Sequence, residues 1–236
     1  MKKYAVITGN SVVHEDMVMT AKSVLKNSTV DKIFLLTEGE FPAPDLDCLE
    51  IIDVSNQTFF PKDGPNMNSG YTYFAMMRAA LALMPELSHV DKILSLDCDV
   101  VALKNIDGIW SLPVEFCDAY FSASHEWHRT KNGLLYCNTG VALYNLEKLR
   151  DGKAQEVVDV LNTREYPWLE QDVFNYLCQG RIHDMPSMYN CNDWTEPTLP
   201  IFVRHYAGLP AKEWRHRPEA QEYRRLSWGE CLNGRK

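Results

Sequence analysis

The sequence predicts an α/β domain built on a single mixed sheet flanked by helices. Three observations carry this. The short apolar runs Tyr4 to Thr8 and Val90 to Leu96 alternate only weakly and read as strands buried on both faces. The first run leads into Asp16 to Leu25, where Met17, Ala21, Val24 and Leu25 form a helical stripe. Further strand-like runs follow, so the chain begins as a strand–helix–strand unit. The second run ends in Asp97-Cys98-Asp99, two carboxylates one residue apart, where open α/β sheets bind ligands.

The remaining elements follow in order. Gly9-Asn10-Ser11 closes the first strand in a tight turn, and Gly9 allows backbone to approach a ligand closely. Lys32 to Thr37 and Leu49 to Val54 are the next strands. Gln57 to Gly70, rich in Pro, Gly and Asn, is a loop suited to covering a site; Asn66 and Asn68 are its candidate lining residues. Tyr71 to Met84 is expected to be one helix, carrying a single basic residue, Arg78, and stopped by Pro85. Beyond the acid-bearing strand, Ile106 to Leu112 is a connector. Ala119 to Ser124 and Gly140 to Tyr144 are strands. Helices are expected from Asn145 to Leu149, Ala154 to Leu161 and Leu169 to Leu177. An Asn/Asp-rich loop, Asn190 to Thr195, precedes a last strand at Ile201 to His205.

With 236 residues, 45% of them hydrophobic, the chain can bury one full-sized core. Its net charge of −8 has the wrong sign for a nucleic-acid groove, so no nucleic-acid partner is expected. The seven cysteines are odd in number and show no CxxC spacing, the usage of buried thiols in a reducing compartment. Met1 to Ile7 is too short for a signal peptide, and no run approaches about 18 apolar residues. The expected location is cytoplasmic. Gly9 stands alone, so the dinucleotide-binding glycine pattern is missing, as are a P-loop and a Gly-x-Ser-x-Gly elbow.

Asp97 and Asp99 offer hard oxygen ligands for Mg²⁺ or Mn²⁺, which in turn can hold a diphosphate. The same two residues would also suit an ordinary acidic turn, and the rest of the chain decides between these readings.

Several segments, in one order from Tyr4 to about Trp214, carry a resemblance. They are Val6-Ile7-Thr8-Gly9-Asn10 with Ala21-Lys22-Ser23-Val24, then Arg78, then Val90 to Val100 with its two aspartates. Next come Cys137-Asn138-Thr139-Gly140-Val141 to Leu146, Glu170-Gln171-Asp172-Val173-Phe174-Asn175 and Pro186 to Asn190. His205-Tyr206-Ala207-Gly208, with Lys212 and Trp214, closes the series. Together they resemble glycosyltransferase family 8, the family of glycogenin and of bacterial lipopolysaccharide galactosyl- and glucosyltransferases. The resemblance implies a GT-A fold, with a Rossmann-like mixed sheet, over residues 1–214. Residues 215–236 are then a short basic and aromatic C-terminal extension. It also implies retaining transfer of a hexose, glucose or galactose, from a UDP-sugar to an acceptor hydroxyl, with Mn²⁺ as cofactor and Mg²⁺ as the second choice.

The site residues that the resemblance implies are as follows. Asp97, Asp99 and His205 hold the metal, and imidazole beside carboxylates suits Mn²⁺. Thr8, Gly9 and Asn10 meet the uracil and ribose, with Asn10 standing where relatives often carry Asp. Asp97 and Cys98 lie near the ribose, and Gly208 and Lys212 approach the diphosphate. Arg78 contacts the donor sugar or the metal-binding aspartates, and Asn138 bonds sugar hydroxyls from a loop before a strand. Glu170, Gln171 and Asp172 form the donor-side cluster, with Asp172 gripping hydroxyls and Gln171 below the anomeric carbon. Since an amide is a poor nucleophile, a front-face route is expected, in which a donor phosphate oxygen takes the acceptor's proton. Glu126, with His125 and Trp127, is a candidate for facing the acceptor.

The acceptor is left open among a carbohydrate, a glycolipid and a protein. Lys212 to Arg225 interleaves basic and aromatic residues, which reads as a solvated surface with at most weak peripheral contact at an inner membrane face. Two alternatives stand beside the transferase. A noncatalytic sugar-nucleotide or glycan-binding protein would not need the intact set Asp97, Asp99, His205, Gln171 and Asp172. A nucleotidyltransferase would need a basic Gly-rich loop near Asn10, where Thr8-Gly9-Asn10-Ser11 offers none.

Overall fold

The computed structural model describes residues 2–67, 72–130, 133–195, 199–208 and 211–232. Its strands are β1 (Tyr4–Thr8), β2 (Lys32–Thr37), β3 (Leu49–Asp53), β4 (Lys92–Leu96), β5 (Val100–Ala102), β6 (Phe121–His125), β7 (Cys137–Asn145), β8 (Ile182–Asp184) and β9 (Val203–His205). Its helices are α1 (His14–Lys26), α2 (Met77–Ala80), α3 (Leu146–Leu149), α4 (Lys153–Leu161), α5 (Leu169–Leu177), α6 (Ala211–Trp214), α7 (Pro218–Arg225) and α8 (Trp228–Leu232). Seven strands form one sheet in the order β3-β2-β1-β4-β7-β6-β8, and β5 pairs with β9 in a small second sheet. Strands β3, β2, β1 and β4 are parallel, whereas β7 runs antiparallel to both β4 and β6. This is the mixed, Rossmann-like sheet of a GT-A fold.

The topology positions the site. From β1 the chain moves outward to β2 and β3, then returns to the other side of β1 as β4. Such a reversal opens a crevice beyond the carboxyl ends of the two central strands. Here those ends carry Gly9-Asn10 and Asp97-Cys98-Asp99. Because β7 is antiparallel, its first residues reach the same edge: Leu96 pairs with Val141, and Asp97 N donates to Gly140 O at 2.8 Å. All five residues of β4 and all nine of β7 are buried, since helices cover both faces of the sheet.

Three local expectations need correction. The helix expected over Tyr71 to Met84 shrinks to α2 and a 3-10 turn at Leu81–Leu83, with Tyr71 outside the described residues. The Phe74 carbonyl accepts from Thr8 Oγ1 as well as from Met77 N, and the Ala75 carbonyl accepts from Arg78 Nε, so both carbonyls are bonded by side chains of the site in place of a regular i to i+4 ladder. Asn138 lies inside β7, not in a loop before it. The short strands β5 and β8 carry too few residues to show periodicity.

The third correction concerns the C-terminal segment, which is more than a solvated surface. Arg215 Nε donates to Asp16 Oδ1 at 2.9 Å, and Arg224 reaches the same carboxylate at 2.8 Å. Asn27 Nδ2 donates to Tyr223 Oη at 2.7 Å, and Lys22 Nζ sits 5.3 Å over the Trp228 ring. Helices α7 and α8 are thereby pinned to α1. Both arginines converge on the one buried carboxylate of Asp16.

Candidate active site

A cavity of about 400 Å³ opens at the reversal between β1 and β4. Thr8, Gly9, Asn10, Arg78, Asp97, Cys98, Asp99, Asn138, Glu170, Gln171, His205 and Gly208 all line it. The sequence spreads these residues over some two hundred positions, and the sheet brings them to one edge.

Asp97, Asp99 and His205 form its centre. Each offers a ligand atom, and the three atoms lie within 4.8 Å of one another. His205 Nε2 is 3.5 Å from Asp97 Oδ2 and 3.4 Å from Asp99 Oδ1. The pairing of β5 with β9 sets this distance, because Val100 faces His205 across the two-stranded sheet. Thr20 Oγ1, on α1, lies 2.9 Å from the Cys98 carbonyl and 2.8 Å from that of Val100, fixing the turn that carries the aspartates.

Two features fit this cluster to a divalent cation. Asp99 Oδ1 is buried and lacks a hydrogen-bond partner, so it retains a lone pair for an ion. A Cβ on Gly140 would come within 2.1 Å of His205 Cε1 and 2.6 Å of Asp97 Oδ2. Only glycine leaves room there for the imidazole and the carboxylate together. Two carboxylates and one imidazole are a donor set suited to Mn²⁺.

Charge is balanced around the aspartates. Arg78 is 4% exposed. Its guanidinium pairs with Asp97, lies 3.1 Å from Glu170 Oε1 and donates to the Thr139 carbonyl at 2.5 Å. Burial alone would raise the Asp97 carboxyl, but Arg78 and His205 outweigh it and hold Asp97 well below the usual carboxylate range. Burial opposes the His205 imidazolium, yet Asp99 and Asp97 outweigh it and raise the group to about 9. Glu170 is lifted to about 7, because burial dominates the attraction of Arg78. The Cys98 thiol is pushed up by burial and by both aspartates, so it stays protonated.

On the opposite wall, both ends of the Gln171 amide are engaged. Its Oε1 accepts from Thr139 N at 3.0 Å, and its Nε2 donates to Tyr136 Oη at 3.2 Å. Tyr136 Oη donates in turn to Asp172 Oδ1 at 2.6 Å. Asp172, which also accepts from Trp168 N at 2.9 Å, does not line the cavity. Lys212 lies in α6 with its side chain outside the described part of the structure. Asn10 Oδ1 accepts from Val12 N at 3.2 Å and caps the turn that leads into α1. Of the loop residues, Asn66 points away, donating to Leu161 O at 2.6 Å, and Asn68 is outside the described residues.

Glu126 is buried and lines the cavity, with Oε1 accepting from Asn138 Nδ2 at 2.9 Å and Arg129 3.0 Å from Oε2. His125 instead pairs with Asp184 at 2.9 Å, away from the lining. Asp16, Arg129, Trp168 and Trp194 also line the cavity without having been singled out for the site from the sequence, and Gly140 and Trp214, quoted only within the resemblance, were given no site role. Gly140 alone gave a signal: a glycine inside an apolar strand marks close approach of another group.

The family model for glycosyl transferase family 8 matches residues 15–217. The chain belongs to glycosyltransferase family 8. It is accordingly an enzyme, a transferase of the family type that uses a UDP-sugar and Mn²⁺. Among solved structures, the galactosyltransferase LgtC in complex with donor and acceptor sugar analogues is 22% identical, with a TM-score of 0.73 over 98% of this chain and 95% of that one. The bifunctional glycosyltransferase WbbM is 13% identical, with a TM-score of 0.72 over 100% of this chain and 52% of that one. GlyE of Streptococcus pneumoniae is 18% identical, with a TM-score of 0.71 over 99% of this chain and 62% of that one. At these identities the likeness is one of fold. None of the curated proteins matches the chain in sequence. No helix among the described residues is long and apolar enough to cross a membrane.

Proposed function

We propose that this family 8 enzyme transfers a hexose, glucose or galactose, from UDP to an acceptor hydroxyl with retention at the anomeric carbon. The observation that carries the reading is the cluster of Asp97, Asp99 and His205 at the sheet reversal, beside Thr8, Gly9 and Asn10 in one cavity. That cavity has the size of a small-molecule site. In this reading Thr8 to Asn10 hold the uridine, and Gly208 and Lys212 approach the diphosphate. Asp97, Asp99 and His205 would hold Mn²⁺, which when bound supplies neutralisation of charge on the departing UDP.

The residues near the sugar favour a front-face route. A covalent intermediate needs a free nucleophile below the anomeric carbon. Gln171 is an amide with its oxygen committed to Thr139 N and its nitrogen to Tyr136 Oη. It is better suited to orienting the donor than to attacking it. A solved active-site variant of LgtC replaces a glutamine with glutamate, in keeping with a glutamine at the centre of such a site. Arg78 keeps Asp97 ionised for its ligand role, while Glu170 and Asn138 face the cavity and offer hydrogen bonds to sugar hydroxyls. Asp172, one step behind the wall, holds Tyr136 and through it Gln171. Glu126 is the carboxylate that would meet the acceptor, which is a carbohydrate, a glycolipid or a protein.

The test is release of UDP from UDP-glucose, UDP-galactose and their N-acetyl forms, with and without Mn²⁺. The expected result is metal-dependent release from one hexose donor, abolished by Asp97→Asn with Asp99→Asn. Tight metal-dependent UDP binding without turnover of any donor, in the presence of an acceptor panel, would overturn the choice of donor.

A further inference from the structure

Backbone amides, acting through two asparagines, dictate which nitrogen of His205 faces the metal site. Gly140 N donates to Asn138 Oδ1 at 3.1 Å. A backbone N–H can only donate, so the orientation of the Asn138 amide is fixed. That oxygen also receives Asn190 Nδ2 at 3.1 Å. A second anchor lies on the other side. Trp194 N and Thr195 N donate to Asn192 Oδ1 at 2.8 and 3.0 Å, which leaves Asn192 Nδ2 to donate to Asn190 Oδ1 at 3.2 Å. Both anchors demand the same orientation of Asn190. Its Oδ1 therefore faces His205 Nδ1, 2.9 Å away. An amide oxygen only accepts, so Nδ1 carries a proton, and Nε2 is the nitrogen turned toward Asp97 and Asp99, where a bound cation would take the place of its proton.

We propose that Asn190 is a positioning residue for the divalent cation, holding His205 in the Nδ1–H tautomer with Nε2 as the ligand atom. This rests on the reading of Asp97, Asp99 and His205 as metal ligands. Asn190 is 0% exposed and does not line the cavity, so it touches neither donor nor acceptor, and no solvent molecule can take over its bond. It acts on the imidazole alone. A hydrogen-bonded partner on the far nitrogen of a ligating histidine fixes ring orientation and raises ligand basicity, typically worth about 10–100-fold in metal affinity.

The experiment is a Mn²⁺ titration read by electron paramagnetic resonance, on the full chain stripped of metal. It compares wild type, Asn190→Leu, His205→Ala and the double variant, with thermal melts in EDTA to establish folding. Asn190→Leu is expected to weaken Mn²⁺ binding by about 10–100-fold, and to add nothing in the His205→Ala background. Unchanged affinity in a folded Asn190→Leu protein, or an equal loss without His205, overturns the proposal. Absence of Mn²⁺ binding by the wild type overturns the metal site itself, and the proposal with it. If Asn190→Leu does not fold, ¹⁵N imidazole spectra of the Mg²⁺-loaded wild type decide. The His205 signal, identified by its loss in His205→Ala, is expected to show the proton on Nδ1, and a proton on Nε2 overturns the proposal.

Discussion

Replacing Gly140 with alanine adds one methyl group at a crowded point of the Asp97, Asp99 and His205 cluster. The new Cβ would stand 2.1 Å from His205 Cε1, 2.6 Å from Asp97 Oδ2 and 2.8 Å from His205 Nε2. Ordinary carbon contacts begin near 3.5 Å, so the imidazole must retreat by more than about 1 Å. It cannot do so freely, because Nδ1 is bonded to buried Asn190 and β9 is paired to β5. Overpacking of this kind costs about 1–3 kcal/mol of stability. A displacement of about 1 Å in a reacting constellation costs on the order of 100-fold in rate. Gly140→Ala should therefore fold, melt somewhat earlier in EDTA, gain less from Mn²⁺ than wild type, and release UDP about 100-fold more slowly. The assay pairs thermal melts, with and without Mn²⁺, with steady-state UDP release. A Gly140→Ala enzyme with wild-type rate and wild-type stabilisation by Mn²⁺ would refute the reasoning that the cluster needs this glycine.

Other substitutions probe the same wiring. Arg78→Leu removes the buried guanidinium that pairs with both Asp97 and Glu170, and should lower stability by about 3 kcal/mol or more in urea unfolding. Glu170 has a folded value of about 7 against an ordinary 4.5. Its contribution to stability is thus complete below 4.5 and is lost as pH rises through 7. Glu170→Gln should flatten that part of the stability–pH curve, and an unchanged slope counts against the burial effect. Asp16→Ala removes the carboxylate shared by Arg215 and Arg224, charge-assisted bonds worth about 1.5–3 kcal/mol each. It should speed proteolytic cleavage near α7 while the main sheet stays protected, and equal cleavage rates would argue that the segment is held by packing alone.

The sheet was legible because its strands are long enough to show their pattern. β1, β2 and β3, and the helices α1, α4 and α5, fall within a residue or two of their expected ranges. The carboxylates after β4 were visible for the same reason: an apolar run that ends abruptly in Asp97-Cys98-Asp99 marks its own end. Residues whose role is relational were not legible. Asp16 reads as an ordinary acid in the first turn of a helix until Arg215 and Arg224 arrive from some two hundred residues away. Asn190 looks like part of a polar loop until two other asparagines fix its amide. The segment 72–84 misled because its composition is helical, while the carbonyls of Phe74 and Ala75 also accept from the side chains of Thr8 and Arg78. Propensity is local, and these contacts are not.

The most direct measurement is calorimetric titration of UDP into the metal-free protein and the Mn²⁺-loaded protein, repeated with Asp99→Asn. If Asp97, Asp99 and His205 form a metal site that receives a nucleoside diphosphate, Mn²⁺ should tighten UDP binding by at least about tenfold, and Asp99→Asn should remove that gain. Equal UDP affinity in EDTA and in Mn²⁺, or a gain that survives Asp99→Asn, would contradict it.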